Sequence, residues 1–121
     1  MNIFVLAIAL IANAQDTNRQ SFNKGWRFVL NDDNAEYCKV GVNDDSWRLL
    51  NLPHDWAIEG DFSKDNPSGT GGGALPGGVG WYRKVFTLDK KMKGKRVRID
   101  FDGAYMNATV WVNGNELGTR P

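Results

Sequence analysis

The chain has few of the residues from which small proteins build disulfide bonds and metal sites. Its 121 residues contain one cysteine and one histidine. A single cysteine excludes an internal disulfide, and a structural zinc site needs about four ligands, so the sequence predicts no metal and no cofactor. The charges nearly balance, with 15 Lys and Arg against 14 Asp and Glu. This balance does not indicate a nucleic-acid partner or a charged membrane surface.

Residues 1–14 have the pattern of a segment that is removed from the mature protein. An unbroken apolar run covers residues 3–11, and Ala12-Asn13-Ala14 follows as a small-x-small cleavage site. The run is too short to span a bilayer and is typical of a secretory signal peptide, although no Lys or Arg precedes it. We therefore expect an exported, periplasmic or secreted bacterial protein with one domain over residues 15–121. A buried N-terminal strand or a short membrane anchor are the alternatives.

Long helical patterns are lacking after residue 14, and short strand patterns take their place. Every second residue of 96–102 is apolar, so Val97, Ile99 and Phe101 are expected to point inward from a strand. Residues 108–112 are rich in β-branched and aromatic side chains, and the Asn113-Gly114 pair that follows favours a type I′ hairpin turn. Further strands are expected at 22–30, 48–52 and 81–88, with a capped turn at 43–47 that buries Trp47 and a basic turn at 90–95.

Short strands separated by turn signals predict an all-β sandwich. The sequence contains about five strand candidates, whereas a complete sandwich has about seven to nine strands. We therefore expect a β-sandwich that is truncated before its final strands.

Three motifs together resemble one protein family. They are Leu52-Pro53-His54-Asp55-Trp56, then Gly80-Trp81-Tyr82-Arg83-Lys84-Val85-Phe86, then the segment from Phe101 to Gly114. In this order and spacing they resemble the N-terminal sugar-binding domain of glycoside hydrolase family 2, in the form carried by β-galactosidase-type members. The resemblance covers residues 21–121.

The resemblance implies a jelly-roll, galactose-binding-like sandwich, followed in such proteins by an immunoglobulin-like domain and a TIM barrel. It also implies retaining hydrolysis of a β-linked oligo- or polysaccharide by two barrel glutamates, whose carboxyl groups must lie about 5 Å apart. Glu36, Glu59 and Glu116 lie in no matching motif, so no catalytic residue is assigned in this chain. A homo-oligomer is compatible with this reading. The alternatives are a free-standing carbohydrate-binding module, or a β-glucuronidase or β-mannosidase of the same family.

The candidate site residues lie in two neighbouring segments. His54, Asp55 and Trp56 are interpreted as structural, with a His–Asp hydrogen bond across a strand end and Trp56 packed beside it. Direct sugar contact is the alternative, and the sequence offers no nucleophile for a catalytic role. Asp65 and Asn66 are the candidates for substrate binding, because carboxylate and amide groups bind paired sugar hydroxyls. An exposed polar loop is the alternative there.

The remaining motif residues are interpreted as structural: Trp81, Arg83, Asn107 and Trp111. Trp81 and Trp111 alternate within strands, which favours core packing over a sugar platform. Asn107-Ala108-Thr109 also fits a glycosylation sequon, which we interpret as a coincidence in a bacterial protein. The glycine-rich tract at 69–80 either lets backbone approach substrate or a neighbouring domain, or forms a flexible lid or a packing loop.

Overall fold

A computed structural model describes residues 19–31, 34–105 and 107–121 of the chain. In these residues the chain forms five β-strands and four short 3₁₀ turns, with no α-helix. The prediction of an all-β fold is confirmed. The predicted signal peptide, residues 1–14, lies outside the described residues. Within the described ranges, no helix has the length and hydropathy needed to cross a membrane.

The first sheet has three antiparallel strands with the earliest strand in the centre. Its members are β1 (Trp26–Asn31), β2 (Arg48–Leu50) and β3 (Val79–Arg83), in the spatial order β2-β1-β3. The register places Phe28 of β1 opposite Arg48 on one side and opposite Tyr82 on the other. Because directly opposite residues share one face of a sheet, these three side chains form a row across it.

The strands of the first sheet are shorter than the sequence predicts. β1 begins at Trp26 because Gly25, with φ 72°, turns the chain just before it. Phe22 therefore lies outside the strand, and its ring meets the edges of Trp26 at 5.6 Å and Phe86 at 4.9 Å. β3 ends at Arg83 instead of continuing to residue 88. Leu30, which alternation places on the same face as Trp26 and Phe28, is 48% exposed.

An aromatic row covers the opposite face of the first sheet. Trp81 points away from Tyr82 because successive strand residues alternate. Its ring contacts Tyr37 at 5.6 Å, and Tyr37 contacts Trp47 at 4.9 Å. Trp47 closes the predicted turn with a 3.0 Å bond from its N–H to the Asp44 carbonyl and is 6% exposed, which confirms its predicted burial.

The second sheet is the predicted hairpin. β4 (Ala108–Val112) pairs with β5 (Asn115–Arg120), with a register shift between Val110 and Trp111. The linking residues Asn113 and Gly114 have φ 51° and 78°, the positive pair that a type I′ turn requires. This turn is confirmed. The hairpin contacts the first sheet where Trp111 stacks on Trp81, with ring centroids 5.4 Å apart.

The predicted strand at 96–102 is wrong. These residues form no sheet pairing in the part of the chain that the structure describes. Val97, Ile99 and Phe101, predicted to point inward, are 45%, 38% and 49% exposed. A period-two pattern determines which side of an extended chain is apolar, but a strand also needs a neighbour to receive its backbone hydrogen bonds. The described residues thus form two open sheets.

Candidate functional site

The candidate site is built on the turn that follows β2. After Leu50 the chain passes through a cis peptide between Leu52 and Pro53 and enters a 3₁₀ turn, Trp56–Glu59. Asp55 caps this turn, because its Oδ1 accepts a 3.0 Å hydrogen bond from the Ala57 N–H. A short acidic side chain at this position satisfies an otherwise unpaired donor of the first turn. The turn thereby returns Glu59 towards β2.

His54 lies at the centre of four polar side chains, Arg48, His54, Glu59 and Tyr82, which we call the His54 cluster. Its Nδ1 is 2.8 Å from the Tyr82 hydroxyl. Its Nε2 is 2.5 Å from a guanidinium nitrogen of Arg48 and 3.1 Å from Glu59 Oε1. The His54 side chain is 10% exposed. One largely enclosed imidazole therefore connects β2, β3 and the capped turn.

An aromatic floor supports the His54 cluster. The Phe28 ring lies 4.9 Å from the His54 ring and 4.8 Å from the Tyr82 ring. The Arg48 guanidinium carbon lies 5.3 Å from the centre of the same Phe28 ring, within range of a cation–π contact. Phe28 is itself 6% exposed. The cross-strand row of the first sheet thus determines the position of the polar groups above it.

Arg48 and Glu59 form an ion pair at the edge of the cluster. One guanidinium nitrogen of Arg48 donates to both carboxylate oxygens of Glu59, at 2.9 and 2.8 Å. Hydrogen bonding from Arg48 is the main cause that lowers the pKa of Glu59, and His54 adds to it. Because its pKa is lowered, Glu59 is held as a carboxylate. A general acid at neutral pH needs a raised pKa, so Glu59 does not suit that role.

Tyr82, unlike Glu59, is held in its protonated and uncharged form. Burial raises the pKa of Tyr82 to about 12, and the carboxylates of Asp55 and Glu59 add to the shift. The Tyr82 hydroxyl therefore keeps its proton throughout the physiological range. It is a fixed hydrogen-bonding partner for His54.

A cleft of about 340 Å³ opens beside the His54 cluster. Its charged edge is formed by Arg48 and Glu59. Its apolar walls are formed by Phe28, Leu30, Trp56 and Pro76. Apolar walls with a few polar groups at one edge are the usual composition of a small-molecule site. The cleft is therefore the candidate binding surface beside the His54 cluster.

The two predicted substrate-binding residues lie on a neighbouring loop, and neither is among the residues that line this cleft. The Asn66 amide donates to the Ala74 carbonyl at 2.7 Å and to the Asp61 carbonyl at 2.9 Å. Asp65 is exposed, and its N–H donates to the Ser63 hydroxyl at 3.2 Å. The amide of Asn66 is thus engaged in holding the loop, and substrate binding by these two residues stays a prediction.

The glycine-rich loop is bonded to itself and packed on Trp56. The Ser68 hydroxyl donates to the Leu75 carbonyl at 2.6 Å, and the Ala74 N–H donates to the Gly69 carbonyl at 2.7 Å. A Cβ built on Gly80 would lie 2.7 Å from Trp56 Nε1, so the indole occupies the space that a side chain at Gly80 would need. These contacts favour the packing-loop interpretation over the flexible lid.

The predicted hydrogen bond between His54 and Asp55 is replaced by other pairings. Asp55 caps its own turn, and His54 bonds to Tyr82, Arg48 and Glu59. The sequence contained no signal for these partners, because their approach depends on the register of β2 and β3 against β1. Tyr82 lies inside the family motif at 80–86, between the two candidate residues Trp81 and Arg83.

The other motif residues lie away from the cleft. Arg83 donates to Asp44 Oδ2 and to the Lys39 carbonyl, both at 3.1 Å, and so fastens the segment before β2 to β3. Asn107 is exposed with φ 61° at the start of the hairpin. In the described residues, no group of three or more His, Cys, Asp or Glu side chains is placed to hold a metal ion.

Known relatives of this chain are glycosidases. It is 62% identical over 103 residues to a beta-galactosidase of Bacteroides ovatus, and the aligned region covers 85% of this chain and 12% of the relative. It is 30% identical over 111 residues to a beta-glucuronidase of Formosa agariphila, which covers 89% of this chain and 11% of the relative. No protein-family model matches the chain.

Solved structures agree with these relatives. A beta-glycosidase from Bacteroides vulgatus superimposes with a TM-score of 0.79 at 48% identity, covering 83% of this chain and 13% of that structure. A glycosyl hydrolase family 2 member from Bacteroides cellulosilyticus gives a TM-score of 0.76 at 43% identity, covering 84% and 14%.

These matches define the class of protein as a β-sandwich domain from a family of long glycoside hydrolases. The chain belongs to glycoside hydrolase family 2, where it corresponds to the N-terminal β-sandwich domain. It spans about 12% of the length of the Bacteroides ovatus relative.

Proposed function

We propose that this chain is the N-terminal, non-catalytic domain of an exported retaining glycosidase that hydrolyses β-galactosides. The observation that carries the proposal is the 62% identity over 103 residues with the beta-galactosidase of Bacteroides ovatus. Because the named relatives are enzymes, a free-standing carbohydrate-binding module is not favoured.

The geometry supports a role in shaping a site, with the chemistry supplied elsewhere in the protein. Retaining hydrolysis needs one carboxyl group that donates a proton and another that attacks the sugar. Glu59 is held as a carboxylate by Arg48, and Glu36 pairs with Lys39 at 2.6 Å on the surface. The lowered pKa of Glu59 is the opposite of what a general acid needs. What the described residues contribute to a site is the wall of the cleft beside the His54 cluster.

The proposed partners follow from the same family. The substrate is a β-linked oligo- or polysaccharide, and an immunoglobulin-like domain and a TIM barrel supply the rest of the active site. The two structural neighbours support further domains, since this chain covers 13% and 14% of their lengths. A β-glucuronidase is the second candidate, because a relative with that name covers 89% of this chain.

Expression of the full-length protein with chromogenic substrates tests the proposal. We expect turnover of 4-nitrophenyl β-galactoside above that of the β-glucuronide, and no turnover by residues 15–121 alone. Preferential β-glucuronide turnover would move the assignment to the second candidate, and turnover by residues 15–121 would refute the non-catalytic role. N-terminal sequencing of the secreted protein tests export, with a mature start near Gln15 expected.

A further inference from the structure

The ring nitrogen Nε2 of His54 faces two groups of opposite charge. A guanidinium nitrogen of Arg48 lies 2.5 Å from it, and the Glu59 Oε1 lies 3.1 Å from it. An imidazole nitrogen without a proton accepts a hydrogen bond, whereas one that carries a proton donates. Arg48 can only donate, and the Glu59 carboxylate can only accept. The two contacts therefore suit different protonation states of one atom.

The contact with Arg48 fits a neutral ring, because a guanidinium can only donate. With the proton on Nδ1, His54 donates to the Tyr82 hydroxyl at 2.8 Å and leaves the lone pair of Nε2 for Arg48. This tautomer is assigned from the hydrogen-bond network. Tyr82 suits this arrangement because it remains a neutral hydroxyl that can accept. This set of contacts fits a His54 ring that accepts from Arg48 and donates to Tyr82.

We infer that His54 is a proton-dependent latch that holds Arg48 when neutral and holds Glu59 when protonated. Uptake of one proton from solvent at Nε2 breaks the hydrogen bond from Arg48, because two donors and two positive charges then face each other. The new Nε2–H donates to Glu59 Oε1, while Nδ1–H keeps its bond to Tyr82. Histidine is the side chain whose ordinary charge change falls between about pH 5 and 8, so the inference is tested across this range. The inference is independent of the proposed glycosidase activity.

Every element packed around His54 is consistent with this exchange. Arg48 from β2 opposes the added charge, and Glu59 and Asp55 from the capped turn favour it. Tyr82 from β3 is neutral, and Phe28 from β1 is apolar. Partial burial strengthens these charge interactions compared with those in bulk water. Arg48 keeps its bonds to Glu59, at 2.9 and 2.8 Å, and so still ties β2 to the turn. Because Arg48 also lines the cleft and lies over Phe28, loss of its bond to His54 alters the cleft edge.

Hydrogen–deuterium exchange at the histidine C2 position, read by mass spectrometry, tests the latch in the full-length protein. The pH midpoint of His54 exchange is measured in the wild type and in single variants. We expect Glu59→Gln to move the midpoint to lower pH and Arg48→Gln to move it to higher pH, each by roughly half a unit or more. Glu36→Gln, at an ion pair outside the cluster, is the matched control and should leave the midpoint unchanged. Equal midpoints in all four proteins, or opposite shifts, would overturn the latch.

A measurement on the wild-type protein covers the case in which a variant fails to fold. Backbone amide exchange of peptides from residues 48–60 is compared at pH 8 and pH 5.5, after correction for the intrinsic rate. We expect protection of these amides to fall at the lower pH, because the bond from Arg48 to His54 is lost while Arg48 keeps its pair with Glu59. Residues 34–47, which Arg83 fastens without a histidine, serve as the internal reference. Unchanged protection of 48–60 relative to 34–47 would contradict the latch.

Discussion

The two halves of the described chain differ in how they use their apolar side chains. Residues 22–83 contain the three-stranded sheet, both buried core residues and the His54 cluster. Residues 84–121 contain one hairpin and one 3₁₀ turn, and none of their described side chains is fully buried. Yet both halves carry aromatic and β-branched residues at strand spacing. The difference lies in the partners available to each half.

Cross-strand partners convert the pattern of the first half into a packed core. Phe28 has Arg48 on one side and Tyr82 on the other, and His54 closes over its ring. Phe101 has the same ring at an equally regular position but is 49% exposed. Burial therefore depends on neighbouring strands as well as on the residue itself. The functional consequence is that the candidate site lies in the half that contains the three-stranded sheet.

Replacing the Phe28 ring, at the centre of the first half of the chain, should cause the largest loss of stability. Phe28→Ala should cost about 3–5 kcal/mol, because it empties the floor under the His54 cluster. Phe101→Ala is the matched change in the second half and should cost about 1 kcal/mol, since half of its ring already contacts water. The free energy of opening, from amide exchange of β1 and β3 peptides in the full-length protein, measures both. Equal losses would show that other parts of the protein cover Phe101.

Two glycine substitutions, one in each half of the chain, should differ in their cost to stability by a smaller amount. Gly80→Ala should cost about 1–3 kcal/mol, because the new Cβ must push aside Trp56 or Phe28. Its Cβ would lie 2.7 Å from Trp56 Nε1 and 3.1 Å from Phe28 Cε2. Gly103→Ala is the control in the second half, where a Cβ meets nothing within 4 Å. Thermal shift of the full-length protein and proteolysis of the 61–78 loop report the difference. A neutral Gly80→Ala would mean that Trp56 does not pack against β3.

The local parts of the fold could be predicted from the sequence, whereas the pairings could not. Asn113-Gly114 specified its turn because both residues tolerate positive φ, and the Trp47 turn followed from its capping residues. The strand at 96–102 was wrong because its alternation says nothing about a partner. The His54 cluster was missed for the same reason, since Arg48 and Glu59 are eleven positions apart and meet only through the register and the capped turn. Asp65 and Asn66 were selected by chemical type, which does not reveal that the Asn66 amide is engaged by its own loop.

The smallest expected effect concerns the pairing that the second half does have. The hydroxyls of Thr109 and Thr119 lie 2.8 Å apart across the hairpin, directly opposite each other on half-buried β4 and exposed β5. A cross-strand threonine pair contributes roughly 0.2–1 kcal/mol, so Thr119→Ala should weaken hairpin protection only slightly. A double-mutant cycle with Thr109→Ala, read from amide exchange of β4 and β5, isolates the coupling between the two hydroxyls. A coupling near zero would place the stability of the hairpin in its turn and in the Trp81–Trp111 stack. The second half would then depend on the first sheet even for its one paired element.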